Sequence, residues 1–200
     1  RFHLGFLFFV MFCFAMVECS MVVLAKLKYG FSVSDTTWLF ALFGLSLAVT
    51  QLTLAKKLHA WIGDHRSVIL GGACMGLSAL AVVFVAGDQA LLVYPLVVLF
   101  AVGDGICFPA VMSAISTEAP ASQQGELMGV TQSVSAIARI VGPIAAGVAF
   151  DYLGQTAPYA LAAGVMFAIS LLGIQRLRAH DPASATPATH PVSAASAARS

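Results

Sequence analysis

Charge is scarce in this chain. Asp, Glu, Lys and Arg make up 10% of its 200 residues, against about 25% in an ordinary soluble domain, so a water-soluble globule of this size is excluded. The few charges nearly cancel, with Lys+Arg 10 against Asp+Glu 9 and a formal net charge of +1. A chain without a basic field has nothing to neutralise phosphates, and nucleic acid is not expected as a partner. Cysteine is sparse too. Cys13, Cys19, Cys74 and Cys107 all fall inside apolar runs, where cysteine acts as a small packing residue, so neither a disulfide framework nor a metal site is expected, and no cofactor is implied. Two motifs of intramembrane proteases are also missing: there is no Gly-x-Ser-x-Gly-like segment with a His at depth and no His-Glu-x-x-His. An enzyme is therefore not expected. The first residue is Arg1 and no initiator Met precedes it, so the chain is expected to begin inside a longer one.

Apolar sequence is abundant, at 60% of residues. A membrane-spanning helix needs roughly 20 apolar residues to cross about 30 Å of hydrocarbon. Six runs reach that length: Leu4 to Ala25, Thr36 to Ala55, Ser67 to Gly87, Gln89 to Ser113, Leu127 to Phe150 and Tyr159 to Gln175. The lipid bilayer is thus the first partner. The links carry helix-ending residues. Lys28-Tyr29-Gly30 stops the first helix, Ser34 or Asp35 can cap the second, Gly87-Asp88 makes a tight turn, and Pro120-Ala121-Ser122 precedes the fifth. Residues 1–178 form the six-helix transmembrane unit. Residues 179–200, rich in Ala, Ser, Thr and Pro, have little to bury and are expected to be a disordered cytoplasmic tail. Basic residues favour the cytoplasmic side. Arg1, Lys56, Lys57, Arg66, Arg176, Arg178 and Arg199 fall on one side and only Lys26 and Lys28 on the other, so both termini should be cytoplasmic.

Three ionisable residues lie at membrane depth: Glu18 in the first run, Asp104 in the fourth and Arg139 in the fifth. Each costs about 2.5–3.5 kcal/mol on insertion scales unless paired or solvated. Arg139 can pair with either acid. One arginine cannot easily neutralise two acids without water, and the acid left over is a natural proton carrier. A buried ion pair that only fixes helix register would explain one acid but not both. The third and sixth runs carry no charge at depth, as expected if they face lipid while the others line water. The first and fourth are also corresponding members of two three-helix sets, a repeat arrangement common in transporters. Gly71, Gly72 and Gly76, and Gly142 with Gly147, have the spacing of close helix contacts. Pro109 and Pro143 can kink their helices. His3, His59 and His65 sit at loop edges, where a solvated side chain is expected.

Particular strings carry a family resemblance. Gln123-Gln124-Gly125-Glu126-Leu127-Met128-Gly129-Val130-Thr131-Gln132-Ser133, followed by Gly142-Pro143, resembles the eleventh helix of the Major Facilitator Superfamily, especially its tetracycline-efflux-type drug:proton antiporters. Tyr29-Gly30 with Phe43-Gly44 and Gln51 is similar to the eighth helix and the loop before it, and Gly103-x-Gly105-x-x-x-Pro109 resembles the tenth. Leu58 to Arg66 occupies the place of a cytoplasmic loop motif, with Lys56 where the pattern has Gly and Trp61 where it has Arg. Asp104 stands where an uncharged residue is common in that family.

The resemblance implies an all-α membrane protein, one half of a two-half bundle built of two three-helix repeats around a central cavity. The implied function is that of the C-terminal half of a proton-coupled secondary transporter that exports a small amphipathic compound from a bacterial inner membrane. Its missing partner would be an N-terminal six-helix half, supplied by the same parent chain or by a second copy. Glu18, Asp104 and Arg139 are the candidates for proton or substrate coupling, and Phe40, Phe43, Gln51, Phe108 and Gln132 for the substrate cavity. Gly125, Gly129, Gly142, Pro143 and Pro109 are candidates for helix packing or gating. The alternatives are a self-associating half-transporter and a membrane scaffold or sensor that transports nothing.

Overall fold

An apolar segment in hydrocarbon must satisfy its own backbone hydrogen bonds, and an α-helix does so locally. The computed structural model describes residues 2–117 and 123–180, with side chains over 3–117 and 123–175, and every regular element among them is helical. Helix α1 (Phe2–Tyr29) stops at Gly30, whose φ of 66° lies in the left-handed region that glycine enters freely. Helix α2 (Val33–Val49) starts in a reciprocal cap. The Asp35 amide donates to Ser32 Oγ at 3.2 Å, and the Ser32 amide donates to Asp35 Oδ2 at 2.9 Å. The cap is therefore Ser32 and not Ser34. A capping box needs an acceptor three residues on, and Ser34 has Thr37 there while Ser32 has Asp35.

The second span is longer than its apolar run. After α2 the chain winds through a π-helical segment, Thr50–Ala55, and continues as α3 (Lys56–Ile62) until Gly63 turns it with a φ of 81°. Lys56 and Lys57 end the apolarity at Ala55, but lysine is a good helix former and the winding persists beyond it. Helix α4 (Asp64–Phe84) follows. The expected tight turn at Gly87-Asp88 is the start of a 3₁₀ segment, Gly87–Leu92, that leads into α5 (Val93–Thr117). Helices α6 (Gln124–Leu153) and α7 (Ala157–His180) complete the chain, separated at Gly154. Six helical stretches are long and apolar enough to cross a membrane: His3–Tyr29, Val33–Ile62, Asp64–Phe84, Gly87–Thr117, Gln124–Leu153 and Ala157–Gln175. Arg1, the Pro120-Ala121-Ser122 link and residues 181–200 lie outside the described residues.

The packing has the pattern of a repeat. Helices α1, α2 and α4 carry the first three spans and α5, α6 and α7 the last three. Exchanging α1 with α5, α2 with α6 and α4 with α7 maps the principal contacts onto one another. The α2–α5 contact becomes α6–α1, and α4–α5 becomes α7–α1, while α4–α7 and α1–α5 map onto themselves. Two three-helix units thus pack about a pseudo-twofold axis. Helices α5, α4, α7 and α1 close a ring, with α2 flanking α5 and α6 flanking α1.

Small residues set the closest approaches. A Cβ on Gly71 of α4 would stand 2.6 Å from the Gly103 carbonyl oxygen of α5, and one on Gly103 would stand 2.7 Å from that of Gly71. A Cβ on Gly142 of α6 would stand 2.9 Å from the Phe12 carbonyl oxygen and from Ala15 Cβ of α1, and Gly72 and Gly76 face Ser170, Met166 and Phe167 of α7. Gly125, Gly129 and Gly147 have open space beside them. At the Gly30 end of the bundle, Lys28 Nζ donates to the carbonyls of Val82 and Val83 at 3.4 and 3.3 Å, and the Tyr29 hydroxyl donates to Val82 at 3.3 Å. A cation on the last carbonyls of α4 offsets the negative end of its dipole. His59 is not simply solvated at the Gly63 end. Its Nε2 lies 3.1 Å from the Ile106 carbonyl oxygen on α5, while the His3 and His65 rings stand 5.4 Å apart. The continuation of the helix through α3 brings His59 back against the bundle, where the apolar run alone would have left it in a loop.

Candidate functional site

Asp104 is held in place from both sides. Successive helical residues step about 100° around the axis, so Gly103 and Gly105 face different neighbours with Asp104 between them. Gly103 faces Gly71 and Met75 of α4, while a Cβ at Gly105 would meet Thr50 Cγ2 at 2.9 Å, at the π-helical part of the second span. The remaining direction points Asp104 toward the α1 and α6 side. It is 6% exposed, and its Oδ1 has no hydrogen-bond partner. The negative charge of Glu18 on α1 and the positive charge of Arg139 on α6 are both felt there, the arginine more strongly. Each of those two residues is itself exposed. The three membrane-depth charges are therefore near enough to act on one another, and one Asp104 oxygen has no donor.

A cavity opens beside this group. Glu18, Phe14, Val17 and Met21 of α1 line it together with Leu39, Phe40 and Phe43 of α2 and Val97 and Phe100 of α5. Of the residues singled out as cavity candidates, Phe40 and Phe43 are in this wall with Glu18. Gln51, Phe108 and Gln132 are not: Gln51 is half-buried on the π-helical segment, Phe108 half-buried against the core, and Gln132 exposed on α6. Phe14 and Phe100 escaped sequence reasoning, although a signal for them existed. Phe14 lies four residues before Glu18 and Phe100 four before Asp104, so each ring shares a helix face with an acid. Pro109 and Pro143 are both inside helices, α5 and α6. Pro109 leaves the Gly105 carbonyl without its usual backbone donor, one residue past Asp104.

The charges at depth come from α1, α5 and α6, while α4 and α7, packed against each other at the back of the ring, contribute none. A family model described as Major Facilitator Superfamily matches residues 4–199, nearly the whole chain. The chain belongs to the Major Facilitator Superfamily. Within this family it is similar to the tetracycline resistance protein, class G, of Vibrio anguillarum, with 27% identity over 143 residues, covering 72% of this chain and 33% of that protein. The class E tetracycline resistance protein of Escherichia coli is 34% identical over 107 residues, covering 52% of this chain and 25% of its own length. Major facilitator superfamily domain-containing protein 10 of Bos taurus is 26% identical over 185 residues, 92% of this chain and 39% of that protein. The chain spans about a third of the length of the curated relatives it matches. Six spans and family membership make it an integral, multi-pass membrane protein.

Proposed function

We propose that the chain is the C-terminal six-helix half of a proton-coupled secondary transporter that exports a small amphipathic compound. The observation that carries this reading is that Glu18, Asp104 and Arg139 lie near enough to act on one another beside an aromatic cavity. The relatives named for tetracycline resistance support efflux as the direction. In this reading Asp104 is the proton carrier. Protonation removes the charge from a buried carboxyl whose oxygen lacks a donor, while the nearby Arg139 guanidinium favours the ionised form, so the group can exist in either state. Glu18, exposed at the cavity wall, meets the cargo. The missing partner is an N-terminal half that closes the other side of the cavity against the exposed faces of α2 and α6. Both ends lie in the cytoplasm, and the membrane is a bacterial inner membrane.

The test is flux in proteoliposomes that carry the full-length protein under an imposed proton gradient. Asp104→Asn keeps the shape but cannot carry the proton, and gradient-driven flux should fall by at least an order of magnitude while facilitated exchange persists. Unchanged gradient-driven flux would remove Asp104 from the mechanism.

A further inference from the structure

Two contacts from the second span reach α5 just past Asp104. Thr50 packs on Gly105, one residue after the acid, where a Cβ would stand 2.9 Å from Thr50 Cγ2. His59 Nε2 lies 3.1 Å from the carbonyl oxygen of Ile106, two residues after it. A carbonyl can only accept, so Nε2 is the donor. The bond joins residues 47 apart in the chain, and it ties down an element with little else to hold it. None of the residues of α3 is fully buried, and Trp61, two residues after His59, is 85% exposed.

The turn of α5 that His59 grips is soft. Gly103 and Gly105 flank Asp104, glycine weakens a helix interior, and Pro109 takes away the usual donor of the Gly105 carbonyl. A stretch with two glycines and a missing ladder bond bends more readily than its neighbours. The second span is wound to meet it. Thr50–Ala55 is π-helical, and a π turn takes up more residues than an α turn. A rod wound α throughout would carry His59 round by about one residue step, roughly 100°, and away from Ile106. The hydroxyls of Thr50 and Thr53 donate back to the Ser46 and Val49 carbonyls at 2.7 and 2.6 Å, on either side of the point where the winding changes. We propose that His59 is a positioning residue for the Asp104 site: its bond to the Ile106 carbonyl latches the soft stretch of α5 onto the second span and so fixes where Asp104 stands. The π-helical segment serves the latch by bringing Thr50 and His59 to α5 together. The inference rests on the transport reading for what Asp104 does, and on geometry for the latch itself.

The latch is read by spin-label distances in nanodiscs that carry the whole 200-residue chain. Labels go on Trp61→Cys and Thr117→Cys, at exposed positions on α3 and at the end of α5, with Cys19 and Cys74 replaced by serine and alanine. Native His59 should give one narrow distance. His59→Ala should shift the ratio of docked to released α3 about fivefold toward release, as for the loss of one hydrogen bond, seen as a second or broadened distance. His59→Gln, whose amide can still donate, should restore the narrow one. Should His59→Ala fail to fold, His59→Phe takes its place, because it keeps a ring and loses the donor. Distances alike with and without the donor overturn the latch. The positioning role is read at Asp104 itself, through the carboxyl C=O band in infrared difference spectra between acid and alkaline pH, assigned by its loss in Asp104→Asn. That band should move in His59→Ala and return in His59→Gln. A band that stays put while α3 is released overturns the positioning role. Neither measurement needs cargo, so absence of gradient-driven flux in the full-length protein sinks the transport reading and leaves the latch standing.

Discussion

A glycine beside a neighbouring backbone does more than fill space when the residue next to it carries a charge. Gly103 lets α5 approach α4 until each of Gly71 and Gly103 lies against the other's carbonyl oxygen, and this approach fixes the rotation of α5 and with it the direction of Asp104. In Gly103→Ala the new methyl meets the Gly71 carbonyl oxygen at 2.7 Å and Met75 Cγ at 2.8 Å. Backbone cannot step aside as a flexible side chain can, so the helices must part. Destabilisation of about 1–3 kcal/mol is expected, read by reversible unfolding of the chain in mixed micelles. Gly129→Ala is the control. Nothing lies within 4 Å of that position, so alanine should be neutral or stabilising by up to about 1 kcal/mol through helix propensity. Equal destabilisation by both would show that the α4–α5 contact is not what decides. At this scale the acids were legible in the sequence, because a lone carboxyl in an apolar run stands out by its cost alone. Their aromatic companions were not. Fourteen phenylalanines give no contrast, and only the three-helix geometry separates Phe14 and Phe100 from rings that face elsewhere.

Helices were read correctly in number and type, and less well at their ends, for reasons that differ from end to end. The glycine stop at Gly30 was read from the sequence, whereas those at Gly63 and Gly154 were not singled out, although positive φ favours a residue without a Cβ at all three. The second span deceived because its apolarity ends at Ala55 while its winding runs to Ile62. Hydropathy reports where hydrocarbon ends, and a helix that protrudes into water obeys propensity and caps instead. Its start shows the same division. Ser32, Ser34 and Asp35 all have capping side chains, and only the reciprocal pair Ser32 with Asp35 satisfies two backbone donors at once. Ser32→Ala should therefore cost about 1 kcal/mol, whereas Ser34→Ala should cost no more than a few tenths. The comparison is made by the same micelle unfolding, and a larger loss for Ser34 would place the cap where the sequence alone had allowed it. The π-helical segment Thr50–Ala55 had no sequence signature. It lies where Thr50 packs against Gly105, next to Asp104, and π-bulges within helices gather at functional sites.

The whole molecule is arranged as a ring of four helices with α2 and α6 outside it, the two related by the pseudo-twofold exchange. A six-helix unit with such symmetry has no intrinsic up or down, because each triplet crosses the membrane in the opposite sense to its mate. Orientation must come from charge placed unequally on the two ends. Lys56 and Lys57 sit at the Gly63 end, with Arg66 on the first turns of α4, whereas Lys26 and Lys28 sit at the Gly30 end. Lys28 is further engaged with the α4 carbonyls, so the Gly63 end should be the cytoplasmic one. The rod Val33–Ile62, with 30 residues, is about 45 Å long, more than the roughly 30 Å of hydrocarbon, so both of its ends stand clear of the lipid core. Val33 and Trp61, 87% and 85% exposed, are placed to report the two sides. In a background where the exposed Cys19 is replaced by serine, Val33→Cys should react with a membrane-impermeant maleimide added to intact cells. Trp61→Cys should react only after permeabilisation. The opposite pattern would mean that basic residues do not set the orientation of this unit.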